Sequence, residues 1–78
     1  VYKRQRGKSA DEGVYEMEAF IDNAMLSGIS VVTIIHGKGT GILRAAIHQR
    51  LKSMKQVKSF RLGLYGEGEN GVTIVELK

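Results

Sequence analysis

The stretch that most constrains this chain runs from Ile29 to Gly41. It is almost wholly apolar and β-branched as far as Ile35, then turns abruptly into His36-Gly37-Lys38-Gly39-Thr40-Gly41. An uninterrupted run of this kind reads as a strand buried on both faces. Leu43, Ala46, Ile47 and Leu51 then recur at helical spacing, which predicts a helix over about residues 41–53. Strand, glycine-rich turn and helix together form an α/β unit. They also set glycines and a helix start at the carboxyl end of a strand, where open α/β sheets bind ligands.

The flanking segments fit the same architecture. Ser9 and Glu12 have the spacing of a capping box, and Val14, Met17, Phe20, Ile21, Ala24 and Met25 follow on one helical face. Asp11, Glu12 and Glu16 lie where the helix dipole favours negative charge, and Gly28 is the natural stop, giving a helix over about 10–27. After the polar link Ser53–Gln56, Val57–Leu62 and Val72–Leu77 alternate as strands. Between them Gly63–Gly71 holds four glycines and reads as a loop; a short strand before Gly7 completes the pattern. Alternating strands and helices imply a right-handed crossover and a mixed sheet with helices packed on it.

Seventy-eight residues support one modest core, and 42% apolar content fits a globular domain rather than disorder. With no cysteine, disulfides and thiolate metal sites are excluded. No apolar run approaches the roughly 20 residues of a membrane-spanning helix, and no secretory signal opens the chain. Val1 in place of a methionine reads as a segment excised from a longer protein, with the cytoplasm as the expected compartment.

Charge is segregated. Residues 1–8 carry +4 and residues 9–28 carry −5. Residues 29–62 carry +7 without a single carboxylate, and the last sixteen residues carry −2. The 34-residue acid-free stretch, with Lys38, Arg44, Arg50, Lys52, Lys55, Lys58 and Arg61, is a candidate footprint for a polyanion, although an ordinary solvated basic face has the same composition.

The glycine turn carries the chemistry. It is not a nucleotide P-loop, since Gly37–Thr40 lacks the G-x-x-x-x-G-K-[ST] pattern. Gly37, Gly39 and Gly41 are one residue short of a dinucleotide fingerprint, and no acid follows at the right distance. Glycines still let a backbone approach an anion, and helix-start amides point at it. A neutral His36 can exchange a proton with water, a ribose hydroxyl or a leaving oxygen, and Lys38 can offset charge building on a phosphoryl group. The same glycines also serve a tight strand-to-helix turn with His36 as its polar end. His48 falls on the expected solvent side of the second helix, away from the glycine turn. No His or Asp pairs at metal-ligand spacing, and no nucleophile elbow is present.

Ile34-Ile35-His36-Gly37-Lys38-Gly39-Thr40-Gly41 with Leu43-Arg44, Val57-Lys58-Ser59-Phe60-Arg61 and Gly71-Val72-Thr73-Ile74-Val75-Glu76-Leu77 resembles the Smr (small MutS-related) domain family. The likeness spans residues 6–77 and is closest to the version ending the bacterial MutS-type ATPases of recombination control and ribosome rescue. It implies a two-layer β-α-β-α-β-β sandwich with a mixed four-stranded sheet, similar to the C-terminal domain of translation initiation factor three. It also implies nicking or endonucleolytic activity on DNA, RNA or both. His36, Lys38 and Arg6 are then the expected catalytic residues, and Gly37, Gly39, Thr40, Gly41, Arg44 and Arg61 the expected nucleic-acid contacts.

The family's other motif, Leu-Asp-Leu-[His/Arg]-Gly, corresponds here to Lys3-Arg4-Gln5-Arg6-Gly7. Arg6 and Gly7 match. Arg4 replaces the acid, which could bind a divalent ion or orient a base, and both leucines are polar. Residues 1–5 are therefore read as a non-family segment, such as a junction or gene edge, ahead of an Smr domain over 6–78. No bound cofactor or dedicated metal is expected, weak assistance by Mg2+ or Mn2+ being left open. The expected partners are nucleic-acid backbone, a ribosome, and parent ATPase domains outside this chain, but no membrane. The alternative to cleavage is a non-catalytic DNA-, RNA- or ribosome-binding module in which the acid-free basic block holds phosphates. Tyr65, in the glycine-rich connection, is the best candidate for base stacking.

Overall fold

The computed structural model describes residues 2–5, 7–66 and 69–78. The elements in chain order are β1 (Tyr2–Arg4), α1 (Ala10–Leu26), β2 (Val31–Ile35), α2 (Ile42–Ser53), β3 (Val57–Leu62), a 3-10 turn (Glu69–Gly71) and β4 (Val72–Leu77). Ser9 caps α1: its hydroxyl oxygen accepts from the Glu12 amide at 3.3 Å, and the hydroxyl donates to the Glu12 carboxylate at 3.0 Å. At the other end Gly28 takes φ +76°. The Ile29 amide donates to Ala24 O and the Gly28 amide to Met25 O, the paired bonds that close a helix through a left-handed residue.

The sheet order is β1-β2-β4-β3, with β1 parallel to β2 and the other neighbours antiparallel. Both helices cover the same side. Met17, Ile21 and Ala24 of α1 and Ile47 and Leu51 of α2 pack with Val32, Ile34, Val75 and Leu77 from alternate strand positions. This is the two-layer mixed sandwich that the resemblance implies. The reading of Ile29–Ile35 as buried on both faces is corrected: the strand begins at Val31, which is exposed, and only Val32 and Ile34 are buried. Among the described residues no helix lies on the far side of the sheet.

β1 is tied into the sandwich by Gln5. Its amide donates to Ile35 O at 2.7 Å, and its side chain, wholly buried, donates from Nε2 to Gly13 O of α1 at 3.0 Å. Lys3, on the helix-facing side of the strand, pairs with Glu16 of α1. Tyr2 and Arg4 alternate to the uncovered side, Arg4 lying opposite Ile35, next to His36.

Candidate functional site

Two concavities meet at the carboxyl end of β2. One, of about 570 Å³, is lined by Ile35, His36, Gly37, Lys38, Gly71 and Val72, among others. The other, of about 150 Å³, shares His36–Gly39 and adds Thr40, Gly41, Leu43, Arg44 and Lys8. Local bonds set the loop between them. The His36 and Gly37 amides both donate to Gly71 O, at 3.2 and 2.9 Å, which pins the start of the loop onto the start of β4. The Gly37 amide is thereby spent inside the protein. Gly37, Gly39 and Gly41 all take positive φ, of 78°, 27° and 86°, a region open to glycine at no steric cost. Gly41 caps α2, and the Thr40 hydroxyl accepts from the Ile42 amide at 3.4 Å.

The expected site residues divide. His36, Gly37, Lys38, Gly39, Thr40, Gly41 and Arg44 are brought together around the loop. The Arg44 guanidinium folds back over Gly41, where an added Cβ would lie 2.9 Å from it. Lys38 Nζ is 3.5 Å from Glu69 Oε2, an exposed ion pair across the loop. Arg6 lies outside the described residues. Arg61 is not at the loop: it sits opposite Ile74 on the uncovered sheet face and lines a separate hollow with Val31, Ser59 and Glu76. Tyr65 is 93% exposed, in the connection that ends at Gly71 beside Gly37.

The basic block does not form one face. Arg50 pairs with Glu18 of α1 and Lys58 with Glu76 of β4, leaving Lys38 and Arg44 as its members at the loop.

His36 is 5% exposed, and both ring nitrogens are engaged: Nδ1 donates to Gly37 O at 2.9 Å, and Nε2 lies 2.8 Å from Thr73 Oγ1. His48 Nε2 lies 2.7 Å from the same hydroxyl, and the two imidazoles meet edge to face with centroids 6.1 Å apart. The placement of His48 on the solvent side, away from the glycine loop, is thus corrected. It is half-buried between His36 and Phe60. Burial pushes the pKa of His36 below its ordinary value of 6.5; the Gly37 carbonyl opposes that shift and Arg44 adds to it. Burial does the same to His48, helped by His36, Arg44 and Lys52. Both rings are thereby favoured as neutral.

Thr73 and His48 are the residues that the sequence reading missed. The available signal was Thr73 itself, a hydroxyl in register with Val75 and Leu77 on the buried face of β4, where it needs polar partners. Among the described residues no group of three or more His, Cys, Asp or Glu is placed to hold a metal ion. Arg4 occupies the position where the resemblance puts an acid, so the residues present do not fit a divalent cation there.

The model of the Smr domain family matches residues 6–78. Endonuclease MutS2 of Clostridium novyi is 59% identical over 73 residues, covering 94% of this chain and 9% of that protein. Endonuclease MutS2 of Pelotomaculum thermopropionicum is 60% identical over 72 residues, again covering 9% of its length. The chain therefore spans about a tenth of the curated relatives it matches. The crystal structure of the Smr domain of Thermus thermophilus MutS2 superposes with TM-score 0.97 at 39% identity, covering 99% of this chain and 96% of that one. YdaL, a stand-alone small MutS-related protein from Escherichia coli, gives TM-score 0.92 at 25% identity, covering 99% of this chain and 63% of its own. With the glycine loop, the sheet order and the family match in agreement, the chain belongs to the Smr domain family.

Proposed function

We propose that this Smr domain binds the phosphodiester backbone of DNA or RNA at the glycine loop and nicks it. The observation that carries the reading is the concave end of β2, where Lys38 and Arg44 flank a turn of positive-φ glycines beside the buried, neutral His36 imidazole. Attack on phosphorus by a water molecule, or in RNA by the neighbouring 2′-hydroxyl, breaks the bond to the bridging sugar oxygen, which leaves protonated by solvent, and builds negative charge on the non-bridging oxygens on the way. Lys38 and Arg44 oppose that charge electrostatically, and the loop lets the strand approach closely. His36 meets the phosphate from the loop side. The endonuclease names of the MutS2 relatives support cleavage as the activity. In that setting the chain acts as the C-terminal part of a larger MutS-type ATPase, and ribosomal RNA belongs to the same substrate class.

A cleavage assay on supercoiled plasmid and structured RNA tests the reading, comparing the chain with His36→Ala. The variant is expected to lose at least tenfold in rate while still binding; equal cleavage by both would end the assignment of His36.

Arg4 favours a second reading, a binder without cleavage. It stands beside Ile35 where the resemblance implies an acid. Under this reading neither protein nicks, both bind with a steep salt dependence, and Arg4→Asp restores nicking.

A further inference from the structure

We propose that Thr73 and His48 are positioning residues that hold His36 as its Nδ1–H tautomer, so that it meets a phosphate as a hydrogen-bond donor rather than as a base. The argument is a proton count. Gly37 O can only accept, so His36 Nδ1 carries the proton in their 2.9 Å bond. A neutral imidazole has one N–H, which leaves Nε2 as an acceptor. The Thr73 hydroxyl, wholly buried at 2.8 Å, donates to it. A hydroxyl has one proton, now used, so His48 Nε2, at 2.7 Å from the same oxygen, must donate to Thr73. The chain therefore has a single direction, from His48 through Thr73 to His36 and on to Gly37 O.

The two edges of the His36 ring face different surroundings. Nε2 points to the buried hydroxyl, and Nδ1 to the glycine loop that lines the concavity. A ligand oxygen at the loop thus replaces Gly37 O as the acceptor from Nδ1–H, while Thr73 keeps Nε2 occupied. This assignment toward a phosphate rests on the reading above that the loop binds nucleic acid; the tautomer itself does not.

Long-range proton–nitrogen correlation NMR on the 15N-labelled chain at neutral pH reads both tautomers directly. His36 is expected as Nδ1–H and His48 as Nε2–H. Thr73→Val, close to isosteric, removes the donor to Nε2; because the Gly37 O bond still favours Nδ1–H, the variant is expected to show a mixture of tautomers, whereas Thr73→Ser keeps His36 as Nδ1–H. His48→Gln retains a donor at the Nε2 position and is expected to keep the order; His48→Phe is expected to lose it. His36 found as Nε2–H in the unaltered chain, or unmoved by Thr73→Val, overturns the proposal. A second arm measures binding of a short oligonucleotide. The Asn side-chain amide sits where Nδ1 does and the Gln amide where Nε2 does, so His36→Asn is expected to bind at least fivefold more tightly than His36→Gln. The reverse order overturns the donor role. If the unaltered chain binds no oligonucleotide while its tautomers are as stated, the nucleic-acid reading fails and the positioning role stands.

Discussion

Gln5 and Gly13 join the edge strand to the first helix through one buried bond, 3.0 Å from Gln5 Nε2 to Gly13 O. The other end of that amide is not matched among the described residues: Gln5 Oε1 is a buried oxygen with no hydrogen-bond partner there. An unmet buried acceptor costs about 1–3 kcal/mol, against about 1 kcal/mol for one neutral bond made. The resemblance implies leucine at this position, and the side chain lies wholly buried between β1 and α1.

Gln5→Leu is accordingly expected to stabilise the domain by about 1–2 kcal/mol, removing the orphaned oxygen and adding apolar burial at the loss of one bond. Urea unfolding reads this as a raised midpoint at constant slope. A lowered midpoint would mean that the Gly13 bond outweighs the orphan.

Stability should fall as pH drops through the histidine range. His36 and His48 are both held below 6.5 in the fold by burial, with Arg44 as a facing charge for both and His36 and Lys52 as further ones for His48. The unfolded chain therefore takes up protons first. Stability is complete above the ordinary value of 6.5 and is lost as pH falls toward the lowered folded values. Urea midpoints at about pH 7.5 and 5.5 should differ for the unaltered chain. His48→Gln should narrow the difference, because one of the two groups no longer titrates. An unchanged difference would assign the effect to other groups.

How much of this was readable beforehand depended on whether one residue's neighbours lie nearby in the chain. β3 and β4 have the bounds that alternation predicts, Val57–Leu62 and Val72–Leu77, and the Ser9–Glu12 cap and Gly28 stop are local signals that the structure repeats. The glycine loop was legible because its geometry is written in adjacent residues. The face of β2 was not: an apolar run shows that a strand is buried, but not that both helices settle on one side and leave Val31 and Arg61 on the other. His48 was misplaced for the same reason. One residue past Ile47 on the helix, it sits at the edge of the apolar face, and only the arrival of β4, 25 residues later, supplies the Thr73 hydroxyl that turns it inward.

The connection before β4 is sterically fixed at Gly63. A Cβ there would lie 2.6 Å from Val72 Cγ2 and 2.9 Å from Glu69 O, too close to both side chain and backbone. Gly63→Ala should cost about 1–3 kcal/mol. Gly66 has no described atom near an added Cβ but φ +89°, so Gly66→Ala should cost only the left-handed strain, about 1 kcal/mol. Paired urea unfolding curves compare the two; equal losses would show that Val72 and the Glu69 backbone give way to the new methyl group.

Glu69 restrains the lysine that the site needs. Lys38 Nζ and Glu69 Oε2 are 3.5 Å apart and both exposed, so their pairing adds at most about 1 kcal/mol to stability and is screened by salt. A phosphate at the glycine loop must compete with that carboxylate. Glu69→Gln should therefore tighten oligonucleotide binding about two- to fivefold at low salt, equivalent to about 0.4–1 kcal/mol. It should leave the unfolding midpoint nearly unchanged. Lys38→Met should weaken binding and make the dependence of log affinity on log salt shallower by about one phosphate contact. The gain from Glu69→Gln should disappear in the double variant, because the carboxylate acts through Lys38. Titrations at several salt concentrations measure all three proteins. A gain that survives without Lys38 would show that Glu69 repels the strand directly rather than by occupying the lysine.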